Sequence, residues 1–252
     1  MTNLPNMSQF LSPNFLTARW RNLAMLNYEV DPKVLRPFVP AGTELDSFNG
    51  KTYASMVAFM FLDTRVLGIP IPFHRNFEEI NLRFYVRREM KNEVRRGVVF
   101  IREIVPRAAI AFVARAIYGE KYIALPTRHQ TDYRPDSENI PANVLYEWKF
   151  QNEWNRLSVR TIGEAQMLTP NSEEEFITEH YWGYANSRDG KSIEYQVEHP
   201  SWKVWSVGES ELVCDVEKLY GSQFVPFISG RPSSAFLAEG STISVGHGKR
   251  LG

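Results

Sequence analysis

The ten residues Glu78-Glu-Ile-Asn-Leu-Arg-Phe-Tyr-Val-Arg87 decide how the rest of the chain reads. Side chains alternate along a strand, so Ile80, Leu82, Phe84 and Val86 fall on one face and Glu79, Asn81, Arg83 and Tyr85 on the other. The plain reading of the polar row is a solvated face. The alternative is that this row lines an internal cavity while the apolar row packs outward under helices. Glu79 would then stand in a partly dry pocket, where a carboxyl pKa rises and proton transfer becomes accessible. Arg83 would either pair with it or hold a substrate carboxylate through a two-point contact.

The neighbouring stretches favour strands. Arg96-Gly97 opens a run over 98–105 that is apolar on both faces except at Arg102 and Glu103. A strand buried on both sides suggests a closed barrel or a covered sheet. Residues 16–30 and 52–66 read as long strands, separated by an Asp31-Pro32 helix start that Pro37 stops within two turns. Pro70 and Pro72 make 68–75 an irregular loop. The clearest helix is 106–118, alanine-rich, with Pro106 at its start and Gly119 at its end. Strand-like stretches follow at 122–132, 144–150 and 157–164, then a second helix announced by the capping box Ser172-Glu-Glu-Glu175. Shorter strands are expected at 192–199, 205–213 and 234–245, a helical turn at 215–220 ended by Gly221, and a frayed tail at Gly246-His-Gly248. With no repeat, no linker and no βαβ alternation, the fold class is α+β, mainly antiparallel, in one domain over 1–252.

Composition narrows the function classes. The 252 residues carry 29 basic and 29 acidic side chains, 43% hydrophobic residues and one cysteine. A zero net charge argues against a nucleic-acid partner, and no apolar run approaches the roughly 20 residues that span a bilayer. The start of the chain has no basic residue ahead of an apolar stretch, unlike a secretory leader. The lone Cys214 forms no internal disulfide, so a reducing cytoplasm is the expected location. Cys214 itself reads as a small buried apolar residue. The five histidines stand singly, without zinc spacing, and His199, close to Trp202 and Trp205, reads as part of an aromatic turn. Nucleotide loops, metalloprotease helices and serine-hydrolase elbows are absent, so neither metal nor cofactor is expected.

Further resemblance lies in the order of motifs. Phe77-Glu-Glu-Ile-Asn-Leu-Arg-Phe-Tyr-Val86, Arg96-Gly-Val-Val-Phe100 and Ala114-Arg-Ala-Ile-Tyr-Gly119 with Tyr122 resemble the bacterial YqjF-like family, a domain of unknown function. Arg19-Trp20, Glu179-x-Tyr181-x-x-Tyr184 and Glu198-His-Pro-Ser-Trp202 fit the same pattern, which spans nearly the whole chain. That family is similar to acetoacetate decarboxylase, which implies an antiparallel barrel enclosing a cavity. The resemblance puts the decarboxylase arginine at Arg115 and one active-site glutamate at Glu79. It puts the Schiff-base lysine at Tyr122, the proline before it at Lys121 and the second lysine at Ile123. A second acidic position falls near Val57 and Ala58, where there is no acid.

A phenol cannot condense with a ketone, so imine chemistry is expected to be lost while the cavity remains. The leading expectation is a protein that binds a small organic molecule, or acts on it without a Schiff base. Glu79 would be acid/base and Tyr122 a hydrogen-bond donor, with Asn81, Arg83, Arg115 and Lys121 as ligand contacts. Lys121 sits one residue out of phase with Tyr122, on the opposite face of an extended segment, unless a local bulge returns it to the pocket. Two alternatives stand beside this: a Schiff-base decarboxylase or aldolase-like enzyme using Lys121, and a non-catalytic interaction protein with an aromatic surface patch and a filled interior. Homo-oligomerisation is left open.

Overall fold

The structure is a computed structural model and describes residues 14–70, 74–107, 121–134, 137–187 and 190–251. Among these, sixteen strands follow one another as β1 (Leu16–Glu29), β2 (Glu44–Leu45), β3 (Tyr53–Val66), β4 (Ile69–Pro70), β5 (Phe77–Glu89), β6 (Val94–Val105), β7 (Tyr122–Ala124) and β8 (Thr127–Arg134). They continue as β9 (Ser137–Phe150), β10 (Glu153–Met167), β11 (Trp182–Asn186), β12 (Ser192–Glu198), β13 (Lys203–Val213), β14 (Ser234–Ala238), β15 (Thr242–Val245) and β16 (Lys249–Arg250).

Seven of them, β1, β3, β5, β6, β11, β12 and β15, close into a barrel, because β1 pairs with β15 on one side and β3 on the other. All barrel pairings are antiparallel except β6 with β11. The later half of β1, residues 23–27, pairs instead with β14, and the chain of strands runs on through β13, β10 and β9 to β8. This second sheet lies over the barrel's outside. Tyr146 of β9 donates to the Asn22 carbonyl at 2.9 Å, and Thr127 of β8 donates to Glu78 at 2.6 Å.

Alternation therefore buries both faces of the long strands, for different reasons. Ala54, Met56, Ala58, Ile80, Leu82, Phe84 and Val86 point out of the barrel into a core shared with Val144, Tyr146, Trp148, Leu157 and Val159. The apolar row of β5 is thus covered chiefly by the second sheet, with the short helices Val216–Tyr220 and Val225–Ile228 adding to the cover, rather than by helices alone. Each large apolar side chain so buried contributes about 1.5–3 kcal/mol. The inward row includes Met25, Tyr53, Val57, Phe59, Phe61, Phe77 and Tyr85.

Three irregularities decide which residues face inward. At Asn22 (φ 53°) and Asp63 (φ 53°), β1 and β3 each bulge, so inward-facing positions change parity. Trp20 and Met25 both face the interior in spite of their odd spacing, as do Phe61 and Thr64. In β6 the pairing slips between Leu82 and Arg83, leaving Ile101 without an opposite residue. Such bulges strengthen the twist needed for closure.

The helix Glu173–Thr178 plugs one end of the barrel. Ser172 accepts from the Glu175 N–H at 3.1 Å as the expected N-cap, but the Glu175 carboxylate accepts from the Asn171 N–H at 2.6 Å and not from that of Ser172, so only the first half of the capping box forms. Phe176 then packs against Phe48, Tyr53, Tyr85 and His180. Elsewhere Asp31 and Pro32 start a one-turn helix as expected, and Asp215 and Gly221 bound another.

Some expectations are corrected. Gly246-His-Gly248 is no frayed tail: Gly246 donates to the Gln196 carbonyl at 2.8 Å, His247 packs on Phe15, and β16 pairs with β12. The loop after Val66 includes the short strand β4, paired on β3. Strand β11 was not expected from the sequence. Most of the expected helix over 106–118 lies outside the described residues.

Candidate functional site

The barrel encloses a cavity of about 250 Å³. Phe15, Thr64, Val66, His74 and Val245 line one end, and Thr178 and His180, on and just after the plugging helix, the other. Between them stand Trp20, Phe61, Phe77, Phe100, Tyr195 and Trp202, so most of the wall is apolar. Because β5 alternates without interruption through this region, its inward row runs Phe77, Glu79, Asn81, Arg83 and Tyr85, of which Phe77, Glu79 and Arg83 line the cavity.

Glu79 is 3% exposed and is the centre of the polar wall. Asn81 donates to its Oε1 at 3.0 Å and the Tyr122 hydroxyl donates to its Oε2 at 3.2 Å. Burial raises its pKa to about 7, against the lowering effect of those two donors and of the Arg83 charge. Tyr122 arrives on β7, which pairs in parallel with β6 and sets Tyr122 beside Glu103. Burial first, and then the Glu103 and Glu79 charges, push its phenol well above its ordinary range, so it keeps its proton as a donor. Two carboxyl groups, Glu79 and Glu103, thus face one phenolic hydroxyl inside the barrel.

Arg83 lies deeper. It is 8% exposed, donates from Nη2 to the Ile177 carbonyl at 3.3 Å and stands 5.7 Å from the Tyr85 ring centroid. Tyr85 continues inward polarity away from the cavity, donating to Ser55 at 2.6 Å. Beside Tyr85, with ring centroids 4.7 Å apart, is His180. Burial, with the Arg96 and Arg83 charges, holds His180 down at about 4 despite Asp46, so the ring is neutral at pH 7. Its Nε2 is 3.9 Å from Asp46, beyond hydrogen-bond length. Burial pushes the Asp46 carboxyl up, but the nearby His180 ring and the Arg96 guanidinium, 2.7 Å away, outweigh it and hold it at about 2.

Around Trp20 the wall is an aromatic cluster. His199 stacks on Trp202 with centroids 4.2 Å apart and lies 4.8 Å from Tyr181, in agreement with the aromatic turn expected there. Burial lowers the His199 pKa.

Of the residues singled out in the sequence, Glu79, Arg83 and Tyr122 line the cavity, and Asn81 is buried behind it on Glu79. Lys121 does not line it: the side chain is exposed, with its ammonium 5.1 Å from the Phe38 ring centroid. Arg115 lies outside the described residues. Glu103 and His180 were not anticipated. A carboxylate in an otherwise apolar run was the available signal for Glu103, and the spacing of Phe176 and His180 was the only one for His180. Among the described residues no tryptophan is exposed, Tyr133 is, and the interior is hollow. The described His, Cys, Asp and Glu side chains form no group of three able to hold a metal, and no described helix is long and apolar enough to cross a membrane.

Solved structures give the fold a context. Acetoacetate decarboxylase from Legionella pneumophila is similar over 100% of this chain and 92% of its own, at 13% identity and a TM-score of 0.66. An acetoacetate decarboxylase-like enzyme from Sphingomonas wittichii RW1 is similar over 96% and 97%, at 14% identity and a TM-score of 0.63. The enduracididine biosynthesis enzyme MppR, in complex with pyruvate, covers 98% and 93%, at 12% identity and a TM-score of 0.64. At these identities the likeness is one of fold, an acetoacetate decarboxylase-like barrel. In sequence, the uncharacterized protein YqjF of Bacillus subtilis is 41% identical over 68 residues, a stretch that spans 27% of this chain and 28% of that protein. The model of the DUF2071 family, described as an uncharacterized conserved protein, matches residues 17–242, and the chain belongs to that family.

Proposed function

We propose that the barrel binds a small organic molecule and acts on it, where it acts, by proton transfer through Glu79 and Tyr122 without an imine intermediate. The observation that carries this reading is a buried carboxyl group, hydrogen-bonded to a phenol, in the wall of a hollow in which no lysine takes part among the described residues. A carboxyl whose pKa lies near 7 holds and releases a proton at physiological pH, which is what an acid/base group requires. The phenol, kept protonated, can donate to an oxygen of the bound molecule or return its hydrogen bond to Glu79. A Schiff base needs an unprotonated amine at the reacting carbon, and Lys121 is exposed and does not line the hollow.

Uptake of octanamide, a neutral probe sized to the hollow, tests the reading by quenching of Trp20 and Trp202 fluorescence. Wild type should bind it, and Glu79→Gln and Tyr122→Phe should weaken that binding more than they lower thermal stability. Loss of stability alone, with binding unchanged, would refute the assignment of these two residues.

A further inference from the structure

We infer that Arg83 is the anchor for the carboxylate of a monocarboxylic acid, whose apolar remainder lies along the aromatic wall. The inference rests on the cavity reading above and names the ligand class for that site.

Arg83 is the one arginine or lysine among the described residues that is more than nine-tenths buried. Two other buried charges are paired with arginines. Asp46 has Arg96 at 2.7 Å, and Glu194 has Arg88 at 2.9 Å and Arg95 at 2.7 Å. Arg83 has no carboxylate within 4 Å among the described residues. Its contacts are the Ile177 carbonyl at 3.3 Å and the Met25 sulfur at 4.0 Å, and Nε has no partner. An enclosed guanidinium without a counter-anion is costly, and a bound anion removes that cost.

The protein's own groups nearby do not supply the anion. Glu79, four residues away on the same strand, feels the Arg83 charge but makes no ion pair with it and is tied to Asn81 and Tyr122. His180 on the opposite side is neutral. A carboxylate fits better than a phosphate, because Arg83 is the only fixed cation lining the hollow among the described residues and a dianion would need a second. Size follows from the volume. A dry cavity of about 150 Å³ takes one benzene, so 250 Å³ accommodates about ten non-hydrogen atoms. With its carboxylate on Arg83, such an acid extends past Glu79 and Tyr122 toward Trp20 and Phe61.

The test compares octanoate with octanamide, and hydrocinnamate with hydrocinnamamide, by tryptophan quenching and calorimetry on the full chain. Each acid should bind about 10- to 100-fold tighter than its amide, the range expected of charge-assisted hydrogen bonds. Arg83→Met should bring each pair to near equality, and without ligand its Tm should be no lower than wild type, since it removes an uncompensated charge. If Arg83→Met does not fold, Arg83→Lys decides: it keeps the charge but loses the fork, so acid affinity should fall while amide affinity holds. Equal binding of acid and amide by wild type, or an acid preference that survives these substitutions, would overturn the anchor and leave the cavity reading intact. Failure of all four probes to bind would overturn both.

Discussion

Replacing Glu79 by Gln should make stability depend on pH in the opposite sense from ordinary loss of a carboxylate. In the unfolded chain a glutamate titrates near 4.5, whereas in the barrel burial holds Glu79 at about 7. Between these values the native state binds a proton that the unfolded state has released, so stability falls as pH rises through this window. Above pH 7 the penalty is complete. The separation corresponds to about 3 kcal/mol, since one pKa unit is about 1.4 kcal/mol. Gln carries no such penalty, but its amide cannot accept from both Asn81 and Tyr122, which costs about 1 kcal/mol at every pH. Glu79→Gln should therefore be slightly less stable than wild type at pH 5 and more stable at pH 9. The difference between the two proteins should swing by about 3 kcal/mol, or roughly 10 °C in Tm for a chain of this size. Urea unfolding of both proteins at several pH values measures the swing and cancels every other titrating group, His180 included. A difference that stays flat from pH 5 to pH 9 would mean that Glu79 is hydrated and that the hollow has no dry acid.

Tyr122→Phe removes a donor that lowers the Glu79 pKa, so the same pH window should move upward; carbon-detected NMR of the Glu79 carboxyl reads the midpoint directly. Borohydride reduction with a small β-keto acid should leave Lys121 without an adduct by mass spectrometry, because its ammonium lies over Phe38 and not in the hollow, and a labelled Lys121 would reinstate the imine route. Gly183→Ala should destabilise by about 1–3 kcal/mol or more, since its Cβ would fall 2.1 Å from the Tyr195 ring, which would have to leave its place in the cavity wall. Urea midpoints measure the loss, and octanamide binding should fall with it; an alanine variant as stable as wild type would mean that Tyr195 does not cover Gly183.

How far the site could be read from sequence depended on where the strands keep an unbroken period of two. Along β5 the alternation runs undisturbed from Glu79 to Val86, so the row Glu79, Asn81, Arg83, Tyr85 could be placed on one face, and the barrel makes that face the interior. In β6 the unpaired Ile101 reverses parity. Val98 and Phe100 face the hollow, and so does Glu103, which simple alternation assigns to the side of Val99 and Ile101. Bulges at Asn22 and Asp63 do the same to Trp20 and Thr64, and a local sequence has no strong marker for such a bulge. His180 was invisible for another reason: it joins the wall through the plugging helix, whose place in the barrel is set by contacts of Phe176 with residues far apart in sequence.

The parity change at Ile101 also brings Glu103 beside Tyr122, and the two acids set what kind of side chain suits position 122. Two carboxyl groups brought to one point of a dry wall cannot both ionise cheaply, so one tends to keep its proton near neutral pH. A lysine there would be held as an ammonium by its acidic neighbours, which is the unreactive form. A phenol suits the same surroundings, because burial and the two acids hold its proton in place and it satisfies an acid as a neutral donor. Glu103 and Tyr122 are therefore coupled choices. Tyr122→Lys alone would create an ion pair with Glu79 and Glu103 rather than a nucleophile, and it should form no imine with a β-keto acid at pH 7.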